Sequence, residues 1–101
     1  MNKPLTALNI TFRPLPAILK KNSFGYVLCR RGSHTMIYEQ RDEGKTVGYE
    51  VFKIIIDPPK DILGKTIPAR ERFPKDSDFG ISAWACSTLE KALERFAKLE
   101  K

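Results

Sequence analysis

The first 38 residues contain no carboxylate: Lys3, Arg13, Lys20, Lys21, Arg30 and Arg31 all precede the first acid, Glu39. From there on, twelve basic residues balance twelve acidic ones, so the whole net charge of +6 originates in the N-terminal third. Such an excess suits a polyanionic partner, and it also aids solubility. Histidine and cysteine are equally scarce. Cys29 and Cys86 stand 57 positions apart, outside any paired zinc or redox spacing, and the single His34 cannot complete a four-ligand site with two thiols. No metal and no cofactor is therefore expected, and both thiols read as free and buried.

Long apolar runs are missing too. No stretch approaches the ~20 residues of a membrane span, and Met1 to Ile10 lacks a basic start followed by an apolar core. The expected setting is the cytoplasm, away from membranes. The six glycines are scattered and form no phosphate-binding cradle, and no internal repeat is visible. What remains is ordinary for a folded chain: 42% hydrophobic and 30% charged residues, with ten aromatics. At 101 residues the expectation is one α+β domain, a small antiparallel sheet of three to five strands with one C-terminal helix packed on one face.

Pro4, Pro14 and Pro16 fence residues 5–13, so residues 1–22 can supply at most an arm or an edge strand. Phe24 to Arg31 and His34 to Gln40 read as a hairpin around a two-residue Gly32-Ser33 turn. That register opposes Arg31 to His34 and Cys29 to Met36, and it places Tyr26 and Arg30 on one strand face. Asp42 to Lys45 forms a turn with Gly44 at a positive φ, and Val47 to Asp57 supplies a long central strand. Residues 58–80, with four prolines and no periodicity, read as a long loop packed by Ile62, Leu63, Ile67, Phe73 and Phe79. Ile81 to Cys86 is a last strand containing Trp84. The helix, 87–100, opens on Ser87 with Glu90 completing a capping box, and Leu89, Ala92, Leu93, Phe96 and Leu99 form its apolar stripe.

Catalysis asks for a nucleophile with a base, paired carboxylates, or converging metal ligands. None of these is signalled, so no catalytic residue is assigned and the chain reads as a non-enzyme. His34 reads as an exposed turn residue, and Asp76-Ser77-Asp78 as a polar turn lacking the further ligands of a calcium loop. Binding is the better general reading. Lys20, Lys21, Tyr26, Arg30 and Arg31 are the candidate contacts for a protein or nucleic-acid partner, since basic and aromatic residues on one surface suit nucleic acid.

From residue 69 to residue 96 the runs Ala69-Arg70-Glu71-Arg72-Phe73-Pro74, Asp78-Phe79-Gly80, Ala83-Trp84 and Thr88-Leu89-Glu90-Lys91-Ala92 carry a resemblance. They are similar to the C-terminal half of small uncharacterised proteins encoded by bacteriophages and mobile elements. The strands at Tyr38-Glu39-Gln40 and Tyr49-Glu50-Val51 fit it as well. The resemblance implies an accessory protein that binds a host or phage protein, including an inhibitor of a bacterial defence system. Thr88, Glu90, Ala92 and Phe96 also resemble the helix of sheet-plus-helix DNA-binding domains of plant transcription factors and phage-type integrase arms, although the spacing before the last strand is longer here. That likeness implies a nucleic-acid-binding module with an N-terminal basic surface as the alternative. A structural subunit of a phage particle, or another homo-oligomer, is a third expectation, because an open sheet edge can pair with a second chain.

Overall fold

The computed structural model describes residues 12–101. The strand expected over 5–13 lies outside them except for β1, Phe12–Arg13. The chain forms two compact units, one from 12–15 with Ile55–Phe73 and the other from Pro16–Ile54 with Pro74–Lys101. The fold is α+β.

The larger unit holds β2 (Ile18–Lys21), β3 (Phe24–Arg31), β4 (Thr35–Asp42), β5 (Lys45–Lys53) and, later in the chain, β10 (Ala83–Cys86). These make one antiparallel sheet in the order β10-β5-β4-β3-β2, and helix α1 (Leu89–Glu100) packs on it. Tight turns join neighbouring strands. Asn22 and Ser23 link β2 to β3 at φ 54° and 74°, and Glu43 and Gly44 link β4 to β5 at φ 51° and 81°. Two successive residues at positive φ match the twist of antiparallel strands.

Because side chains alternate across a strand, the pairing register sorts the sheet into two faces. Ile18, Val27, Glu39, Tyr49 and Cys86 form one cross-strand row, and Arg30, Ile37, Val51 and Trp84 the next. Both rows lie on the helix face, where Ile37, Val51, Ala92 and Phe96 are buried together with Tyr49, Cys86 and Leu99 against them. The other face carries the rows Leu19-Tyr26-Gln40-Gly48, Leu28-Tyr38-Glu50-Ala85 and Arg31-Met36-Phe52-Ala83. Tyr38 and Phe52 stack there with ring centroids 5.8 Å apart, and the Tyr38 hydroxyl donates to the Pro16 carbonyl at 2.7 Å.

Several sequence expectations are corrected. The β3–β4 turn is longer than two residues: Arg31 pairs with Met36, Gly32 N–H donates to the Thr35 carbonyl at 2.8 Å, and a bulge at Cys29 shifts the register. The bulge turns Arg30 to the helix face, opposite the face that holds Tyr26. The strand expected over Val47 to Asp57 breaks at Ile54, whose N–H donates to the His34 carbonyl at 2.8 Å; Ile55–Asp57 then forms β6 in the smaller unit. The last strand starts at Ala83 rather than Ile81. The helix cap is Thr88, not Ser87: its hydroxyl accepts from Lys91 N–H at 3.2 Å, so Lys91 takes the place assigned to Glu90. Leu89 and Leu93 remain 43% and 37% exposed, because the stripe that meets the sheet runs through Ala92, Phe96 and Leu99. Neither cysteine is fully buried; Cys29 is exposed and Cys86 half-buried, and both are free thiols.

The smaller unit contains a three-stranded sheet. β9 (Ala69–Arg72) lies between β1, which is parallel to it, and antiparallel β6. Arg72 bonds Asp57 across β6 and β9 at 3.2 Å, and the buried Glu71 carboxylate accepts from Leu15 N–H at 2.8 Å. β7 (Lys60–Ile62) and β8 (Lys65–Ile67) form a hairpin turning at Leu63-Gly64. The segment 58–80 is thus strand-bearing rather than a loop, and Asp76–Asp78 adds a 3-10 turn in the larger unit. There the Asp78 carboxylate accepts from Lys75 N–H at 2.8 Å, which gives the acidic pair a local structural task.

Candidate interaction surfaces

The sheet disperses the five residues singled out from the sequence. Lys20 is exposed in β2 on the helix face, and Lys21 points to the other face, where its ammonium donates to the Pro74 carbonyl at 3.0 Å. Tyr26 is buried. Its hydroxyl accepts from Gln40 Nε2 at 3.1 Å and donates to the Glu50 carboxylate. Burial raises the Tyr26 phenol above its ordinary value, and the nearby Glu50 charge adds to this. Arg30 lies over the Phe96 ring at 5.1 Å, and Arg31 donates to the Met36 sulfur at 3.3 Å on the far face. Lys20 and Arg30 share a face; Lys21, Tyr26 and Arg31 share the opposite one.

Glu50 and Gln40 were not singled out from the sequence. They lie beside Tyr26 because β4 and β5 bring residues 40 and 50 to the same sheet face. Burial pushes the Glu50 carboxyl up, while the Lys21 charge and the Tyr26 hydroxyl hold it down. The result is a satisfied internal polar cluster. A second carboxylate, Glu100 at the helix end, accepts from Ser33 N–H at 2.6 Å and His34 N–H at 2.7 Å. Desolvation acts to raise it, but these amide hydrogen bonds prevail and hold the Glu100 carboxyl below its ordinary value. His34 is exposed at this turn and contributes its backbone to the clamp.

A concavity lies elsewhere, between β10 and α1. Its strand side is Ala85, Cys86 and Ser87; its helix side is Lys91, Glu94, Arg95 and Lys98. Three cations therefore overhang one sheet edge with a single acid among them. Arg95 is fixed there by stacking on Trp84, 4.6 Å from the ring centroid, an arrangement that also shields the half-buried indole. Burial pushes the Cys86 thiol up despite the opposing charges of Arg95 and Lys91, so at neutral pH it is a thiol and a poor nucleophile.

Among the described residues the strand side of this groove is an open edge. Lys53 N–H donates to the Ser82 carbonyl at 2.9 Å, so Ser82 directs its backbone groups at β5. In an antiparallel ladder this direction alternates, so Ala83 and Ala85 direct theirs away. The Ala83 carbonyl accordingly accepts from Gly80 N–H at 2.7 Å on that outer side. Among the described residues Ala85 has no such neighbour strand: β10 ends the sheet there, and the bridge on its outer side joins Phe79 to Ala83.

Compared with known proteins, the chain matches no family model, no curated protein and no solved structure. Among the described residues no cluster of three His, Cys, Asp or Glu side chains is placed to hold a metal, and no helix is long and apolar enough to cross a membrane.

Proposed function

We propose that this chain is a non-enzymatic accessory protein of a bacteriophage or mobile element that binds a host or phage protein, using the groove between β10 and α1. The observation that carries the reading is the combination in one place of an open strand edge and a helix flank presenting Lys91, Arg95 and Lys98. Proteins capture peptide segments at such edges through main-chain hydrogen bonds, with neighbouring side chains setting selectivity. A role in inhibiting a bacterial defence system would follow if the captured protein belongs to one.

The nucleic-acid alternative is less well supported. The residues on which it rested divide between two sheet faces, and Tyr26 is buried rather than available for stacking on a base.

Capture from host lysate with the full chain tests the proposal, comparing wild type with a Lys91→Glu/Lys98→Glu double variant. The expected result is a protein retained after nuclease treatment by wild type and lost by the variant. Recovery of nucleic acid alone, abolished by nuclease, would refute the reading, as would a protein retained equally by both forms.

A further inference from the structure

The geometry points to the chemistry of the partner: an extended acidic segment that joins β10 as a sixth strand of the sheet, its carboxylates alternating toward the α1 cations. This inference rests on the protein-binding reading above and specifies how the partner is held. Ala85 supplies the first element of recognition. Its N–H and C=O face outward from the sheet, and a strand laid alongside satisfies donor and acceptor together.

The second element is charge. Side chains of an added strand alternate between the two sheet faces, so every second one meets the helix flank. There Lys91, Arg95 and Lys98 outnumber Glu94. Carboxylates at alternate positions complement this wall, and basic residues at the same positions are repelled by it.

The other candidate occupants fit less well. A second copy of this chain pairing through its own β10 would bring an Ala-Trp-Ala-Cys strand and its own three cations against the first set. Nucleic acid offers phosphate acceptors for Ala85 N–H but an irregular match to its carbonyl. Among the described residues the opposite sheet edge, β2, has no helix wall. The Leu28 N–H bond to the Ala17 carbonyl at 2.7 Å fixes its alternation, so Ile18 and Lys20 direct their backbone groups outward, and the charged Lys20 side chain guards that edge.

The test uses the full chain and a displayed library of random decapeptides. Selected peptides are expected to carry Asp or Glu at every second position, to perturb amide resonances at 84–87 and 91–98, and to slow exchange of the Ala85 amide. Ala85→Pro removes the outward donor without touching the β5 ladder and should weaken binding about tenfold or more. Lys91→Glu/Lys98→Glu should weaken it by about as much and remove most of its salt dependence. Trp84 fluorescence checks that each variant is folded. If Ala85→Pro does not fold, the charge-reversed variant and the amide exchange decide the matter.

Selected peptides without the acidic alternation, or bound equally well by a folded Ala85→Pro variant, overturn the strand-addition inference. Acidic peptides that perturb the β2–β3 face instead overturn it too, while leaving the protein-binding reading intact. A chain that selects no peptide and binds only oligonucleotides overturns both.

Discussion

Replacing Gly32 by alanine isolates the contact that anchors the end of α1 to the β3–β4 turn. A Cβ at this position would stand 2.5 Å from the Glu100 carboxyl carbon and 2.7 Å from Phe96 Cζ. Ordinary carbon contacts are about 3.5–4.0 Å, so each neighbour has to retreat by roughly 1 Å. The Glu100 end is flexible in principle, but its two amide bonds to Ser33 and His34 hold it, and Phe96 is packed in the core. Overpacking of this kind costs about 1–3 kcal/mol. Gly32 is not among the glycines at positive φ, so alanine is compatible with its backbone. Restricting the unfolded chain should then return about 0.4–1 kcal/mol. The expected net loss is about 1–2 kcal/mol, a fall in Tm of roughly 5–10 °C for a chain of this size. Urea and thermal unfolding followed by Trp84 fluorescence report directly on the unit that contains the contact. Gly25→Ala is the control: its Cβ meets only the Arg41 carbonyl at 4.0 Å, so it should match or exceed wild-type stability. In the Gly32→Ala/Glu100→Ala double variant the loss should be smaller than the sum of the two single losses, since one of the two crowding groups is gone. A Gly32→Ala protein as stable as Gly25→Ala would refute the clamp.

Three further outcomes follow from the same geometry. Thr88→Ala should lose about 1 kcal/mol in urea unfolding whereas Ser87→Ala changes little, because Thr88 holds the cap bond to Lys91; equal effects would remove that distinction. Leu63 is 99% exposed at φ 52°, a left-handed conformation that asparagine adopts more readily, so Leu63→Asn should stabilise the β7–β8 hairpin by about 0.5–1 kcal/mol, read as slower amide exchange over 60–67. The two perturbed carboxylates should tilt the pH profile in opposite senses. Glu50 has a raised folded value, so its contribution is full below the unfolded carboxyl range and is lost as pH rises through the folded value. Glu100 has a lowered one, so its contribution is present above the unfolded range and is lost as pH falls through the folded value. Urea midpoints from about pH 3 to 7 should therefore show Glu50→Gln gaining on wild type as pH rises and Glu100→Gln falling behind it, and parallel profiles would contradict both assignments.

The parts of the fold legible in the sequence were those set by local chemistry. Gly44 announced a turn, Ser87 before an apolar run announced a helix start, and the apolar run from Val47 onward announced a strand. The errors arose where a distant partner decided the local geometry. Ser33 and His34 leave the β3–β4 ladder because Glu100, some 66 residues away, accepts their N–H groups. The β7–β8 hairpin was missed because its strands are only three residues long and its turn places Leu, not Asn or Asp, before glycine. The cap moved one residue, from Ser87 to Thr88, because two adjacent hydroxyls offer the same chemistry and only the Thr88 hydroxyl accepts from the Lys91 N–H.

The candidate surface depended on more than residue type, and this is why the N-terminal basic excess was a poor guide to it. Tyr26 and Arg30 share a face only if β3 runs without interruption, and the bulge at Cys29 separates them. Considered along the helix alone, Lys91, Arg95 and Lys98 form an ordinary solvated face. Their position over an edge becomes meaningful only once β10 is known to end the sheet and the Ser82–Lys53 bond fixes which way Ala85 points. Strand parity and helix placement are independent, so neither could reveal the groove without the other. If the acidic strand docks there, its specificity comes from a hydrogen-bonding edge in one element and a charge row in another, two features that no continuous stretch of this sequence contains.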